Sequence, residues 1–161
     1  MAATVRPLVA DDAAQLLDLQ LALDAESAFM LLEPGERDDR PPEIPPPGAS
    51  YLLGAFEGER LIGYVDVSVL PYARARRTGH VVMGVRAGSA GRGVGRALLT
   101  AAAETGRGCG LRRLELTVME HNRNAIALYL RCGFQFEGRR RSALDVDGAA
   151  VSEYYMGLLL D

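Results

Sequence analysis

The chain has 161 residues and a net charge of −3, and all 18 of its basic residues are arginine. Without lysine it cannot form a Schiff base, anchor pyridoxal phosphate or act as a P-loop NTPase, because each of these chemistries uses a lysine amine. Its 2 cysteines and 2 histidines are too few and too scattered for a four-ligand zinc site. The mild acidity also argues against a nucleic-acid partner, since nucleic-acid-binding domains are usually basic.

Length favours a single domain over residues 1–161. No apolar run approaches the roughly 20 residues that a membrane-spanning helix needs, and the first residues lack the pattern of a signal peptide. Two cysteines are also too few for a disulfide scaffold. We therefore expect a cytoplasmic protein with reduced thiols and no membrane partner.

The first elements predicted along the chain are an edge strand and a helix. Residues 4–9 are partly β-branched and contain a proline, which is typical of an edge strand. Asp11 and Asp12 offer an N-cap for an apolar helix over about 13–27. Residues 31–50 contain six of the eight prolines, mixed with charged residues, and this composition predicts a long loop.

After this loop the pattern becomes that of strands. Residues 51–56 and 61–70 predict a hairpin, and residues 79–86 predict a third strand. A glycine cluster at 88–95 then opens a helix, which we expect to end at about Thr105 because further glycines follow.

The last third of the chain alternates between strands and a helix. Residues 111–118 alternate as a strand does, and residues 122–132 have helical spacing. Residues 134–146 and 151–160 predict two final strands joined by an Asp-Gly turn. The order of these elements predicts a mixed α/β protein.

The glycine-rich turn is the first candidate for a binding site. A helix N-terminus preceded by glycines exposes free backbone N–H groups and the positive end of the helix dipole, which suits a phosphate. The spacing is not a Rossmann fingerprint, since Arg96 and Leu98 occupy the third-glycine positions, nor a Walker A motif, since Val94 follows Gly93. By itself the turn is equally compatible with a plain connection between a strand and a helix.

Two motifs stand at a characteristic spacing in the second half of the chain. The first is Val85 followed by Gly93-Val-Gly95, and the second is residues 122–134, Asn-Arg-Asn-Ala-Ile-Ala-Leu-Tyr-Leu-Arg-Cys-Gly-Phe. Together they resemble the acetyl-CoA motif and the second signature of the GCN5-related N-acetyltransferase (GNAT) family. Residues 137–156 are similar to the subgroup that contains the ribosomal-protein N-terminal acetyltransferases. One position departs from the family pattern, because Ala90 stands where Arg or Gln is usual.

The resemblance implies a GNAT-type fold, with a mixed, mostly antiparallel sheet of about seven strands flanked by helices. The sheet would splay between strands 79–86 and 111–118, and acetyl-CoA would lie in the opening. The pantetheine would pair with the backbone of Met83, Gly84 and Val85 as an added strand. A backbone N–H group in that stretch would polarise the thioester carbonyl.

The resemblance also implies the rest of the cofactor site. The pyrophosphate would lie on the first turn of the helix after the glycines, with Arg92 or Arg96 replacing the side chain that is missing at position 90. Asn122 would either contact the cofactor or cap its own helix. The residues expected around the pyrophosphate are Gly91, Arg92, Gly93, Val94, Gly95 and Arg96.

The implied reaction is direct transfer of an acetyl group to a primary amine, with no covalent enzyme intermediate and no metal. Cys109 and Cys132 are therefore interpreted as structural. The family places its general acid at Tyr129, which would protonate the leaving thiolate. The pKa of a free thiol, about 8.5, and that of a tyrosine, about 10, are close enough for this transfer. The alternative is that Tyr129 only packs its helix.

No residue stands out as the general base that would keep the amine neutral. The two positions that are common in relatives hold Gly79 and Thr117. Glu120 leads the candidates because it precedes Asn122 at the expected mouth of the cleft. The remaining candidates are Glu115, His80 and Asp66.

These motifs leave the acyl acceptor open. A protein N-terminus, a polyamine, an aminoglycoside or another small amine is compatible with them, and the acidic residues of loop 31–50 would attract a cation. The arginines at 139–141 would either meet an acidic substrate or cover an exposed strand. The alternative function is a non-catalytic acyl-CoA-binding or regulatory module, favoured by the missing base and by Ala90. A homodimer through the terminal strands is compatible with the apolar segment 156–160.

Overall fold

The structure is a computed structural model that describes residues 2–46 and 48–161, so Met1 and the Pro47 of the predicted loop lie outside it. The strands are β1 (Thr4–Pro7), β2 (Tyr51–Glu57), β3 (Arg60–Val69), β4 (Thr78–Val85), β5 (Arg113–Met119), β6 (Gln135–Val146) and β7 (Ala149–Leu159). The helices are α1 (Ala13–Glu26), α2 (Val94–Gly108) and α3 (Arg123–Arg131). The predicted order of elements is confirmed.

The strands form one 7-stranded sheet in the order β1-β2-β3-β4-β5-β7-β6. Neighbouring strands are antiparallel in every pair except β4 and β5, which run parallel. This arrangement confirms the mixed, mostly antiparallel sheet that the motifs implied.

The parallel pair is joined only at its beginning. Thr78, Gly79 and His80 of β4 pair with the first three residues of β5, and the two strands then diverge. On its other side β4 stays paired with β3 as far as Val85, and β5 stays paired with β7 as far as Met119. Each strand is therefore held firmly on one side and open on the other, which confirms the predicted splay.

Two apolar cores hold helices on the two faces of the sheet. One core lies under α2 and includes Val65, Val67, Val81, Leu98, Leu114 and Met156. The other core lies under α1 and includes Leu8, Leu16, Leu19, Leu23, Phe56 and Tyr64. Among the described residues, no helix has both the length and the apolar character that crossing a bilayer requires.

Two local predictions about helix ends were wrong. Asp12 stands before α1, but its carboxylate accepts hydrogen bonds from the Val9 N–H group at 2.7 Å and from Arg6 at 2.8 and 2.9 Å, and does not cap α1. Helix α2 continues through Gly106, where an added Cβ would lie 3.0 Å from the Tyr51 hydroxyl oxygen. The glycine there serves close packing inside the helix, not its termination.

The described part of loop 31–50 forms turns and bends, as predicted, and it is anchored to α1. The Arg37 guanidinium donates two hydrogen bonds to the carboxylate of Asp24, at 2.6 and 3.0 Å. Asp24 is buried, so this ion pair is shielded from solvent. Ile44 also packs against the core under α1, so the loop is held at two points on this side of the sheet.

Candidate functional site

The opening between β4 and β5 continues into a cleft of about 1360 Å³. One wall is formed by β4 and the glycine turn, and the other by β5, α3 and the β6–β7 hairpin. The segment after α1, including Phe29, forms part of the rim, and the Phe29 ring lies 5.1 Å from the ring of His121. In residues 2–46 and 48–161, no group of three or more His, Cys, Asp or Glu side chains could hold a metal ion.

The backbone of β4 offers unpaired polar groups to this opening. The Arg86 N–H group donates to the Ile62 carbonyl of β3 at 2.9 Å. Because backbone groups of successive strand residues point to opposite sides, Gly84 also faces β3, whereas Met83 and Val85 present their N–H and C=O groups to the opening. These two residues have the geometry needed to pair with an extended amide-containing ligand.

The glycine at position 84 is explained by helix packing and not by ligand binding. An added Cβ there would lie 2.5 Å from the Leu23 side chain, so the missing side chain allows α1 to pack against β4. The contact of Gly84 with a cofactor remains a prediction.

The glycine turn has the geometry of an anion cradle. Gly91 and Gly93 have φ angles of +76° and +81°, which favour glycine, and a Cβ added at either position would meet nothing within 4 Å. Gly93 caps α2, whose first intrahelical hydrogen bond runs from the Ala97 N–H group to the Gly93 carbonyl at 3.0 Å. The N–H groups of residues 94–96 thus have no acceptor within the helix and are available to a phosphate.

Gly95 differs from the two glycines before it. A Cβ at this position would lie 2.8 Å from the Leu128 side chain of α3. The third glycine of the motif therefore brings α2 and α3 together, while the first two leave open space for a ligand.

The two arginines of the turn also differ. Arg96 lines the cleft, together with Arg131 of α3 and with Ala90 at the atypical motif position. Arg92 instead forms an ion pair with Glu57 of β2 at 2.7 Å, and it does not line the cleft. Of the two arginines expected to replace the missing side chain at position 90, only Arg96 faces the ligand space.

Tyr129 lies in the wall formed by α3. The residue is only 9% exposed, and its ring packs 5.7 Å from that of Phe134. It nevertheless lines the cleft, and within the described residues its hydroxyl has no hydrogen-bond partner. Burial raises the pKa of Tyr129 to about 12, so the phenol keeps its proton throughout the physiological range. The same wall contains Asn122, whose side chain caps α3 by accepting a hydrogen bond from the Ala125 N–H group at 3.3 Å.

Only one of the four base candidates lines the cleft. Glu120 lies outside the lining and is bound by Arg139 at 2.9 and 3.2 Å, and this contact lowers the pKa of its carboxyl group. Glu115 is paired with Arg113, also outside the lining. Burial raises the pKa of Asp66, which lies outside the lining as well. The remaining candidate, His80, lines the cleft at the last rung before β4 and β5 separate.

Sequence reasoning missed Glu153 of the lining and did not distinguish Arg140 from the arginines on either side of it. Arg140 and Glu153 form an ion pair between β6 and β7, and Glu153 is buried. One signal was available, namely a lone carboxylate in an otherwise apolar terminal strand. Alternation alone cannot say which face of the sheet such a residue occupies, and Arg140 was one of three consecutive arginines with no distinguishing mark.

A sheet that opens between two parallel strands, with a glycine cradle and a helix N-terminus beside the opening, defines the N-acetyltransferase class of folds. The chain belongs to the acetyltransferase (GNAT) family, whose family model matches residues 18–134. The resemblance carried by the two motifs is thereby confirmed.

Similar proteins agree with this assignment. The chain is 37% identical over 100 residues to the N-alpha-acetyltransferase RimI of Mycobacterium tuberculosis, and the match spans 62% of this chain and 61% of that protein's length. A GNAT-family acetyltransferase structure from Streptococcus pneumoniae superposes with a TM-score of 0.89 at 24% identity, covering 99% of both chains. A phosphinothricin acetyltransferase from Sinorhizobium meliloti, in complex with acetyl-CoA, gives 0.82 at 18% identity, with 99% of this chain and 89% of that one covered. At these identities the two structures establish the fold alone.

Proposed function

We propose that this protein is an enzyme that transfers an acetyl group from acetyl-CoA directly to a primary amine, at a protein N-terminus or on a small molecule. The observation that carries the proposal is the half-open parallel pair of β4 and β5, which leaves the Met83 and Val85 backbone groups unpaired beside the glycine cradle. The relative named N-alpha-acetyltransferase supports an α-amine as the acceptor.

The residues present fit acetyl-CoA. The open space at Gly91 and Gly93 admits a pyrophosphate close to the backbone, and Arg96 adds a positive charge on the same side. Bound there, acetyl-CoA supplies the activated acetyl group. The N–H groups of Met83 and Val85 would hold its amide chain and orient the thioester at the point where the strands separate.

Proton movement would use two groups of the cleft. Tyr129 is a neutral hydrogen-bond donor whose hydroxyl is available to the leaving sulfur. Desolvation raises the pKa of a thiol as it does that of a phenol, so burial of both keeps their proton affinities comparable. His80 is the candidate to accept the proton that the amine loses, since it lies where the strands separate.

The test is the release of free coenzyme A thiol with a panel of amino-terminal peptides, polyamines and aminoglycosides. We expect turnover with at least one acceptor, and stabilisation of the protein against heat by acetyl-CoA. Stabilisation without thiol release for any acceptor would support the alternative, a non-catalytic acyl-CoA-binding module. Absence of stabilisation would contradict both functions.

Cytoplasmic localisation and a homodimer stay predictions. The edge strand β6 and its neighbour expose apolar side chains that a second copy would cover, namely Phe136, Tyr155 and Leu159. Sedimentation of the purified protein measures the oligomeric state directly.

A further inference from the structure

Two successive arginines of β6 hold carboxylates on opposite faces of the sheet. Arg139 binds Glu120, and Arg140 binds Glu153. Side chains of neighbouring strand residues point to opposite faces, so the two ion pairs are separated by the sheet. Of these four residues, only Arg140 and Glu153 line the cleft.

Of the cleft pair, the Glu153 carboxylate is buried, whereas the Arg140 side chain is 39% exposed and its guanidinium lies 5.7 Å from the centre of the Tyr155 ring. The Glu153 side chain is 9% exposed, against 34% for that of Glu120. One contact joins the partners, from Nη1 of Arg140 to Oε1 of Glu153. Within the described residues, Oε2 of Glu153 and the remaining guanidinium nitrogens of Arg140 have no hydrogen-bond partner. A free acceptor and free donors thus lie side by side in the cleft.

The backbone of β6 is irregular next to this pair. The register of β6 against β7 shifts between Arg140 and Leu144. Within the shift Ser142 has a φ of +51°, and its N–H group donates to the Ser152 hydroxyl at 3.0 Å. Bulges of this kind redirect side chains and are frequent beside active sites. The irregularity begins directly after Arg140, which fixes that arginine opposite Glu153.

Part of the lining of the cleft is apolar. Phe29, Met30, Leu31 and Leu144 line the same cleft. The buried carboxylate of Glu153 favours a ligand that supplies a donor, and a ligand that also supplies an acceptor gains a charge-assisted hydrogen bond from Arg140.

We propose that Arg140 and Glu153 recognise the α-amino-acyl head of the acceptor. The amine donates to Oε2 of Glu153, and the carbonyl oxygen one carbon away from the amine-bearing carbon accepts from the guanidinium of Arg140. An isolated amine, such as a polyamine, satisfies Glu153 alone and gains no hydrogen bond from Arg140. The inference rests on the proposed function, because it assigns the acceptor class for that same cleft.

The test compares two acceptors that share a skeleton. Alaninamide has a carbonyl next to its amine-bearing carbon, and isopropylamine has a methyl group there. The quantity measured is the ratio of their kcat/KM values in wild type and in variants. The two amines differ in basicity, but this difference cancels when the ratios are compared.

In wild type we expect the ratio to favour alaninamide. In Arg140→Gln it should fall by about tenfold or more, the value of one hydrogen bond to a charged group. The loss should appear in the KM for alaninamide, with the acetyl-CoA Kd unchanged. Arg139→Gln is the matched control, since it removes the neighbouring arginine from the opposite face and should leave the ratio unchanged.

A second variant guards against simple misfolding. The exchange Arg140→Glu with Glu153→Arg keeps an ion pair but reverses its polarity, so it should retain the wild-type Tm while losing the preference. An unchanged ratio in this double variant, or an equal loss in Arg139→Gln, would overturn the inference.

Failure of the proposed function has a different signature. Binding of both amines to the protein–coenzyme A complex, measured by ligand-observed NMR, reports recognition without turnover. Tighter binding of alaninamide in wild type but not in Arg140→Gln supports the inference even if no thiol is released. Equal binding of the two amines in wild type refutes it, whatever the turnover.

Discussion

The two halves of the cleft differ in which groups they present to a ligand, backbone groups in one half and side chains in the other. The half proposed to hold the cofactor, the cofactor half, consists mainly of backbone, with the open edge of β4, the turn at Gly91 and Gly93 and the first N–H groups of α2. The half proposed to bind the amine, the acceptor half, consists of side chains, with His80, the Arg140–Glu153 pair and Phe29 in the cleft lining. Backbone donors are present whatever the side chains are, which explains why Ala90 is compatible with a phosphate cradle. The acceptor half does not tolerate substitution in this way, because each of its contacts depends on one side chain.

The strongest test of this contrast is Tyr129→Phe, since Tyr129, the proposed general acid, is a single side chain next to the half formed by backbone. We expect kcat to fall by about 100-fold, the usual contribution of a general acid, with the acetyl-CoA Kd unchanged. The pKa of Tyr129, raised to about 12 by burial, means that the wild-type acid stays protonated as pH rises. The kcat of wild type should therefore show no loss from this group between about pH 8 and 10.

Tyr51→Phe is the control for that variant. Tyr51 is also a buried tyrosine, but its hydroxyl donates to the Ala102 carbonyl at 2.6 Å, under α2 and away from the cleft lining. This change should cost about 1 kcal/mol of stability and leave kcat unaltered. Equal kcat values in Tyr129→Phe and wild type would remove the acid from the mechanism.

The second test places one side-chain atom, a Cβ, in the cofactor half. Gly93→Ala places a Cβ in space that is empty in the structure and imposes a left-handed φ on alanine. We expect the acetyl-CoA Kd to rise by about tenfold or more, since one obstructed charge-assisted hydrogen bond accounts for that much. Isothermal titration calorimetry measures the change.

Gly58→Ala provides the comparison for backbone strain. Gly58 also has a positive φ, +59°, and open space around its added Cβ, but it lies in the turn between β2 and β3. Both variants should lose about 1 kcal/mol of stability from the left-handed conformation. If Gly58→Ala weakened acetyl-CoA binding as much as Gly93→Ala did, the cradle would not be the cause.

The third and smallest kinetic effect is expected from the anchor of loop 31–50, which we expect to lie on the acceptor side of the cleft. Asp24→Asn leaves the Arg37 guanidinium without its charged partner and should cost about 3 kcal/mol of stability. The KM for the amine should rise a few-fold as the loop loosens, while the acetyl-CoA Kd stays constant. Asp38→Asn, which breaks the exposed pair with Arg40 in the same loop, should change neither value. A parallel rise in both constants would show that the two halves are not independent.

The cofactor half was predictable because its requirements are local. A φ near +80° at Gly91 and Gly93 can be met easily only by glycine, so the geometry is written into consecutive residues. The same holds for Asn122, which caps α3 three residues before its hydrogen-bond partner Ala125. The helix ends were less predictable. Gly106 lies inside α2 because it packs against Tyr51, which is distant in sequence. Asp12 does not cap α1 because Arg6 binds its carboxylate.

The acceptor half was not predictable because its geometry depends on contacts between residues that are far apart in the sequence. Glu120 precedes Asn122 directly and was the leading base candidate, yet Arg139 from another strand binds it outside the cleft. Glu153 looked like an ordinary strand residue, yet the pairing of β6 with β7 places it beside Arg140 in the cleft lining.

The sequence by itself therefore determined the order of elements, the family and the backbone cradle, because periodicity, glycine conformation and helix capping act over a few residues. Tertiary structure alone decided which charged side chains face the cleft. Arg139 and Arg140 are identical residues at adjacent positions, and nothing in the sequence around them says which one faces the cleft. Their side chains lie on opposite faces of the sheet because side chains alternate along β6. Which of the two faces the cleft is set by the register of β6 against β7, and that register depends on contacts made across the whole sheet.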